Sequence, residues 1–530
     1  MNNIAKVDKQ PQDRYLRLAE LMASFSLAID LGMGQPLDWV MRTCLLGTHL
    51  SQLLGLSSDE CRQVYYLSLL KHIGCTSASS WQAELFGNEL GMGQVLTVDT
   101  KNPVEVFPTI VKMAGQGQPL LARARYLRRA LAAGPGAKDE LSLIQCEVAG
   151  NLAGRLGFAQ EMLYTLGQLF ERWDGQGQPY QLKGDAIALP VRVIHLAYDA
   201  ATLQLQADSE TAINVVKKRS GRLYDPAIAD VFLQAAPDLF AQLEVESTWD
   251  AILAAEFELA TWLSEEQFED ALLAIADFTD LKSPYLVGHS RGVATLAEEA
   301  ARQCGLPDAD ATSLRRAGLL HDLGRVGVSS SIWNKPGKLT ESEWERVRLH
   351  PYLTERILAR SQVMAPLVDL AILHHERLDG SGYHRRLPAP MLPLTARILA
   401  AADAYHAMTE PRPHRPALSP DEAAAELRQD VKAGQFDAAA ADAVLSATGH
   451  QVQRPRHATP GGLSKREIEV LRLMARGLSN PEIGEELVIS KKTVGHHVQH
   501  IYNKIDVSTR AGATLFAMQH NLLSTLDRSS

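Results

Sequence analysis

Leu319-Leu320-His321-Asp322-Leu323-Gly324 is answered 250 residues earlier by Leu69-Leu70-Lys71-His72-Ile73-Gly74, and the upstream Thr279-Asp280-Leu281 is answered at the same offset by Ile29-Asp30-Leu31. A third block, Glu376-Arg-Leu-Asp379-Gly380-Ser-Gly382, matches Glu171-Arg-Trp-Asp174-Gly175-Gln-Gly177 at an offset of 205. The change of offset implies about 45 additional residues inside the first copy, between Cys75 and Gln145. Gly221 to Asp225 and Gly434 to Asp437 correspond loosely at the far ends. Self-similarity of this kind is the mark of a duplicated unit. We expect one domain over residues 13–240, its copy over 262–450, a linker over 451–462 and a separate module over 463–525.

Alanine, leucine, glutamate and arginine dominate, and apolar residues recur at three- and four-residue spacing without long β-branched alternating runs. That period belongs to helices, so the fold class is all-α. Of the 530 residues, 46% are hydrophobic and 22% charged, the balance of a soluble globular chain, and no apolar run approaches the length of a membrane span. The polar start, Met1 to Lys6, lacks a signal-peptide core, which points to the cytoplasm. Cys44, Cys61, Cys75, Cys146 and Cys304 show no metal-type spacing and are read as reduced thiols. A net charge of −9 excludes wholesale nucleic-acid coating, so any DNA contact must come from a local patch.

Such a patch lies past the Pro/Gly-rich linker. Ser464-Lys-Arg-Glu467 is a capping box that opens an amphipathic helix closed by Gly477. Asn480-Pro481 suits the cap and first position of a short second helix, and a third begins at Lys491. Along the third, Val494, Val498, Ile501 and Ile505 form one inward stripe, while Lys492, His496, Gln499 and Asn503 face away. From Ser464 to Arg510 eight basic residues outnumber six acidic ones. A capped helix pair of this kind either is a plain helical subdomain or lays its third helix in a major groove. In the second case Lys491, Lys492 and Thr493 meet phosphates, His496 and Gln499 reach base edges, and Lys504 adds a cation.

Leu463 to Leu471, Gly477 to Ile483, Ser490-Lys-Lys-Thr-Val494, Lys504-Ile505 and Arg510 closely resemble the LuxR-type helix-turn-helix family over some sixty residues. The resemblance implies a four-helix module that binds double-stranded DNA and dimerises on two-fold sites. Gly495 stands where that family usually carries a polar residue.

The second copy concentrates potential ligands: His289, His321, Asp322, His350, His374, His375 and Asp403. Neutral imidazoles with carboxylates suit two divalent transition metals, with Asp322 as the bridging candidate. Two such cations activate water and offset the charge of a phosphoester without a protein nucleophile.

His289-Ser-Arg-Gly-Val, His321-Asp-Leu-Gly-Arg325-Val-Gly, Lys335-Pro-Gly-Lys-Leu339, His350-Pro, His374-His-Glu-Arg-Leu-Asp-Gly-Ser-Gly-Tyr383 and Ala402-Asp403-Ala-Tyr resemble the HD-GYP branch of the HD phosphohydrolases over roughly 170 residues. The resemblance implies tandem HD-type domains and hydrolysis of cyclic di-GMP at an iron- or manganese-type two-metal site. It makes those seven residues the ligands, gives Asp322 and Arg325 the catalytic roles, and assigns nucleotide contact to Arg325, Lys338 and Arg412. The chain departs from the family at Arg325 (lysine there), His384 (the proline of GYP), His406 (an aspartate) and His414 (a tyrosine). Tyr285 replaces the glutamate of three-metal members, which favours two.

At the two offsets, His289, His321, Asp322, His350, His374, His375 and Asp403 map to Trp39, Lys71, His72, Gln145, Leu169, Phe170 and Tyr198. The first copy is therefore expected to be a degenerate scaffold without metal chemistry. Three functions stay open: a regulator whose second domain binds or hydrolyses a cyclic dinucleotide, a phosphohydrolase of another nucleotide, and a non-catalytic metal- or ligand-sensing transcription factor.

Overall fold

A computed structural model describes residues 16–95, 97–133, 136–256, 260–449, 460–520 and 522–523. Among these residues the regular structure is helical, with only three isolated β-bridges, so the chain is all-α as its apolar period requires. The expected linker falls mostly on residues 450–459, outside the described residues, as do the first residues of the 13–240 unit and the last of the 463–525 unit. No helix among the described residues is long and apolar enough to cross a membrane.

The helices repeat at the spacing of the sequence blocks. Trp39–Leu53 and Ser58–Leu70 recur as His289–Gln303 and Asp308–Leu320, and the short turn Gly184–Ala186 recurs as Ala389–Met391. Local chemistry repeats with them. The Asp30 carboxylate accepts from Val40 N–H, and Asp280 accepts from Ser290 N–H. Glu171 accepts from the N–H groups of Tyr180 and Leu182, whereas Glu376 accepts from those of Arg385 and Leu387. The additional residues of the first copy build the helices Ser79–Phe86, Pro103–Met113 and Leu120–Ala133.

One apolar core runs through both copies. The Phe25 and Phe278 rings meet edge to face at 4.6 Å, and Leu320, Leu323 and Val326 of the second copy pack into the same cluster as Phe25 and Ile29. The helix Leu18–Gly32 of the first copy thereby braces the turn Leu323–Gly327 that follows Asp322. A β-carbon on Gly324 would lie 2.0 Å from the His350 carbonyl, so only glycine permits the His350 helix to approach Asp322 this closely. Gly74 meets the Gln145 carbonyl in the same way, at 1.9 Å.

The tail forms four helices, Lys465–Ala475, Asn480–Glu486, Lys491–Ile505 and Arg510–Gln519, around Val470, Leu471, Ile483, Val494 and Ile501. The second opens one residue earlier than expected: Ser479 and Glu482 form its capping box, and Asn480-Pro481 are already helical. A serine hydroxyl and a glutamate three residues on satisfy two helix N–H groups reciprocally, more than Asn480 could alone. The fourth helix serves two cores. Ala513 and Ala517 face the tail's own interior, while Leu515 and Met518 are buried in the core shared by the two large copies.

Candidate metal centre and DNA-binding module

Six of the seven expected ligands sit where a helix begins or ends. Gly288 takes a left-handed φ of 82° and turns the chain so that His289 opens its helix. Asp280 holds that start by accepting from Ser290 N–H at 2.9 Å and Oγ–H at 2.7 Å. His321 and Asp322 leave the end of Asp308–Leu320, His350 opens His350–Leu358, and His374 and His375 follow Ala365–Ala371. Asp403 lies within Leu394–Met408. Helix ends place side chains into a common interior space from several directions, which is why the sequence separation of these residues is no obstacle.

The seven converge. His289, His321, His350 and His374 are fully buried, and Asp322 and Asp403 nearly so. Asp322 Oδ2 faces His321 Nε2 at 3.1 Å and His289 Nε2 at 3.5 Å, whereas Oδ1 faces His350 Nε2 and His374 Nε2, both at 3.4 Å. Asp403 Oδ1 lies 3.2 Å from His289 Nε2, and its Oδ2 lies 3.7 Å from His375 Nδ1. Two overlapping groups thus offer ligand atoms within 4.8 Å of one another: His289, His321 and Asp322, and Asp322, His350, His374 and His375.

The arrangement fits cations. Asp322 Oδ1 and His321 Nε2 are buried without a hydrogen bond, an arrangement that is costly unless a charge completes it, whereas Oδ2 is met by the Arg325 guanidinium. Nδ1–H of His321, His350 and His374 donates to the carbonyls of Gly318, Val347 and Ala371 at 2.6–2.7 Å. A carbonyl only accepts, so a proton is fixed on Nδ1 and Nε2 is the atom that each ring turns toward Asp322. Burial pushes His374 down to about 4 and also lowers His350 and His375, which keeps these three imidazoles neutral. Burial opposes the charge of Asp322, but the guanidinium of Arg325 and the imidazole of His321 hold it well below the ordinary carboxylate range.

The remaining expected site residues divide. Arg325 Nη1 lies 2.8 Å from Asp322 Oδ2, and its guanidinium lies 5.0 Å from the Trp333 ring. Lys338 is exposed and pairs with none of the seven. Arg412 stands behind His289, donating to the Tyr285 carbonyl and to Glu410, both at 2.9 Å. Sequence reasoning missed Glu410, whose Oε2 lies 2.8 Å from His289 Nδ1. The available signal was a carboxylate seven residues past Asp403, just beyond the end of the helix Leu394–Met408.

At the matching place in the first copy, side chains fill the space. Trp39 and Tyr198 pack at 5.1 Å, Trp39 stacks on His72 at 5.6 Å, and the Lys71 ammonium lies 4.3 Å from the Tyr198 ring centre. Lys71 also donates to the Leu169 carbonyl at 3.3 Å, and burial pushes it down to about 8. Aromatic faces with a cation over them replace imidazoles around a metal.

In the tail, Lys491, Lys492, Thr493, His496 and Gln499 are exposed on one side of the third helix. The Ser490 hydroxyl caps that helix by accepting from Thr493 N–H. Lys504 is exposed and pairs with Glu467 at 2.7 Å. The tail docks on the first copy through Glu147, which accepts from Ser508 N–H at 2.9 Å and Oγ–H at 3.1 Å. It also reaches the loop before His289, where Gly477 abuts Pro284 and Leu523 abuts Gly288.

Comparison with known proteins agrees with both parts. The HD domain family matches residues 131–228 and 274–440, and the family of bacterial regulatory proteins of the luxR type matches residues 462–517. A 3'3'-cGAMP-specific phosphodiesterase of Vibrio cholerae is 34% identical over 421 residues, covering 78% of this chain and 91% of that protein. A cyclic di-GMP phosphodiesterase of Pseudomonas aeruginosa is 40% identical over 166 residues, 31% of this chain and 40% of that protein. The crystal structure of a cyclic GMP-AMP-specific phosphodiesterase from V. cholerae superposes with a TM-score of 0.57 at 29% identity, covering 83% of this chain and 99% of that one.

Proposed function

From a chain that belongs to the HD-domain family of HD-GYP-type cyclic dinucleotide phosphodiesterases and carries a luxR-type module, we propose a transcriptional regulator that hydrolyses a cyclic dinucleotide. The observation that carries the enzymatic half is the division of Asp322, one oxygen toward His289 and His321 and the other toward His350 and His374. That donor set suits two divalent cations, iron or manganese, which when bound supply an activated water and offset phosphate charge. Asp322, with one oxygen toward each histidine group, would help to hold both cations. The Nδ1-anchored imidazoles cannot rotate away, and Arg325 brings a second cation to the non-bridging phosphate oxygens. Of the two substrates, 3'3'-cGAMP is favoured, because the relative specific for it aligns along both copies, whereas the cyclic di-GMP relative aligns over 31% of this chain.

The regulatory half rests on the exposed face of Lys491–Ile505 and on the seat of the tail against the His289 loop. Nucleotide that favours one seating of the tail over another changes DNA affinity, whereas equal affinity for both seatings changes nothing. The protein acts in the cytoplasm as a homodimer on two-fold sites. The test is hydrolysis of 3'3'-cGAMP and cyclic di-GMP by manganese- or iron-loaded protein, alongside operator affinity with and without saturating nucleotide. Turnover with an affinity change supports the whole reading. Metal binding without turnover leaves a sensor, and unchanged operator affinity removes the coupling.

For the tail, Lys492→Ala is expected to weaken binding to every DNA sequence and to reduce the salt slope by about 0.9. Gln499→Ala is expected to relax choice at one base pair by about 1–3 kcal/mol. Binding titrations across a salt series and against single-base operator variants check both, and a sequence-independent loss in each variant removes Gln499 from base reading.

A further inference from the structure

His289 is held differently from its partners. Nδ1–H of His321, His350 and His374 each donates to a carbonyl three residues back, a bond that local helix geometry supplies. His289 opens its helix, and the Leu286 carbonyl three residues back is taken by the His289 backbone N–H. Its Nδ1 instead meets Glu410 Oε2 at 2.8 Å. The same carboxylate accepts from Arg412 Nη2 at 2.9 Å, and Arg412 Nη1 ties back to the Tyr285 carbonyl, so carboxylate and loop are locked together behind the ligand. His406 Nδ1 flanks Glu410 Oε1 at 3.3 Å. The His406 ring lies over Gly292, where a β-carbon would fall 1.8 Å from Nε2 and 2.3 Å from Cε1. A glycine inside a helix is less favourable than alanine, and here the missing side chain is what admits the ring.

We propose that Glu410 is the positioning residue of His289, fixing its tautomer and ring plane so that Nε2 faces Asp322 and Asp403, with Gly292 and His406 as its support. The inference rests on the two-metal reading of the centre. Carboxylate-held imidazoles are oriented more firmly, and are stronger donors, than carbonyl-held ones, and loss of such a partner costs metal affinity. The group His289, His406 and Glu410 has ligand spacing of its own. The Arg412 guanidinium against Glu410 already supplies the positive charge there, which argues against a further cation.

The test is a titration of metal-free full-length protein with Mn2+, followed by calorimetry and electron paramagnetic resonance, on wild type, Glu410→Ala and Glu410→Gln. Wild type should take up two equivalents. In Glu410→Ala one of them should weaken by about 10–100-fold while the other holds. Glu410→Gln, whose amide oxygen still accepts from Nδ1–H, should recover most of that loss. The metal-free Glu410→Ala protein should melt lower than wild type, since Arg412 loses its carboxylate partner, so the split between the two metal equivalents, not the melting temperature, carries the result. Two wild-type-strength equivalents in Glu410→Ala overturn the proposal, as does a loss spread equally over both. Three equivalents in wild type falling to two in Glu410→Ala replace it with a third cation site. A wild type that binds no Mn2+ overturns the two-metal reading itself, and this inference with it.

Discussion

The double variant His321→Ala, Asp322→Ala is expected to fold, to bind neither metal tightly, and to hydrolyse cyclic dinucleotides at least about 10^3-fold more slowly than wild type. Asp322 turns an oxygen toward each histidine group, so its loss removes a ligand from both positions at once. The metal-free fold should be retained but weakened: losing Asp322 leaves the buried Arg325 guanidinium without the carboxylate 2.8 Å from it, which should lower the metal-free melting temperature. In wild type, added Mn2+ should raise the melting temperature in proportion to RT ln(1 + [L]/Kd), and in the variant this increment should vanish. Retained turnover with the increment lost would move the chemistry away from this centre.

The second large effect concerns stability. Lys282 and Glu89 form an ion pair at 2.8 Å with both side chains essentially inaccessible to solvent. Glu89 also accepts from Ser330 N–H at 2.7 Å and Ser329 Oγ–H at 2.8 Å, joining the additional segment of the first copy to the loop that follows Arg325. Glu89→Leu leaves the Lys282 ammonium buried without its partner and should cost about 3–5 kcal/mol. Glu89→Leu with Lys282→Met should recover most of it, since two apolar side chains replace two charges that had to be desolvated. The pH dependence has a definite sign. Burial raises the Glu89 carboxyl, but the Lys282 ammonium and the serine donors outweigh it and hold the group below its ordinary value. Its contribution is therefore present above the unfolded value of about 4.3 and is lost as pH falls through the lower folded value. Urea unfolding across pH 3 to 7 checks this: the double variant should lack that acid-side loss, and an unchanged profile would show that the pair contributes nothing.

Much of the site could be read from the chain because its histidines and aspartates are concentrated in the second copy, in motifs that resemble those of one family. The glycine ahead of His289 and the proline after His350 mark two of the helix starts that carry them. The degenerate state of the first copy was equally readable, since replacing imidazole by Trp39, Lys71 or Phe170 removes a lone pair whatever the packing. Cation placement was harder. Arg412 and Lys504 have the side chains of phosphate binders, yet one is tied to Glu410 and Tyr285 and the other to Glu467. A flexible cation takes the strongest partner within reach, and reach is not a property of spacing along the chain.

By itself the sequence determined an all-α chain with a duplicated domain, the seven histidines and aspartates that converge, and the helix-turn-helix tail, which follow from periodicity, internal repetition, residue chemistry and the resemblance to two known families. Tertiary structure alone decided that the two copies share one core through Phe25 and Phe278, that Leu515 and Met518 of the tail enter that core, and that Glu89 meets Lys282 and Glu410 meets His289. These pairings join residues far apart in the chain, and apolar burial is non-directional, so many partners satisfy it equally until the whole set of helices packs.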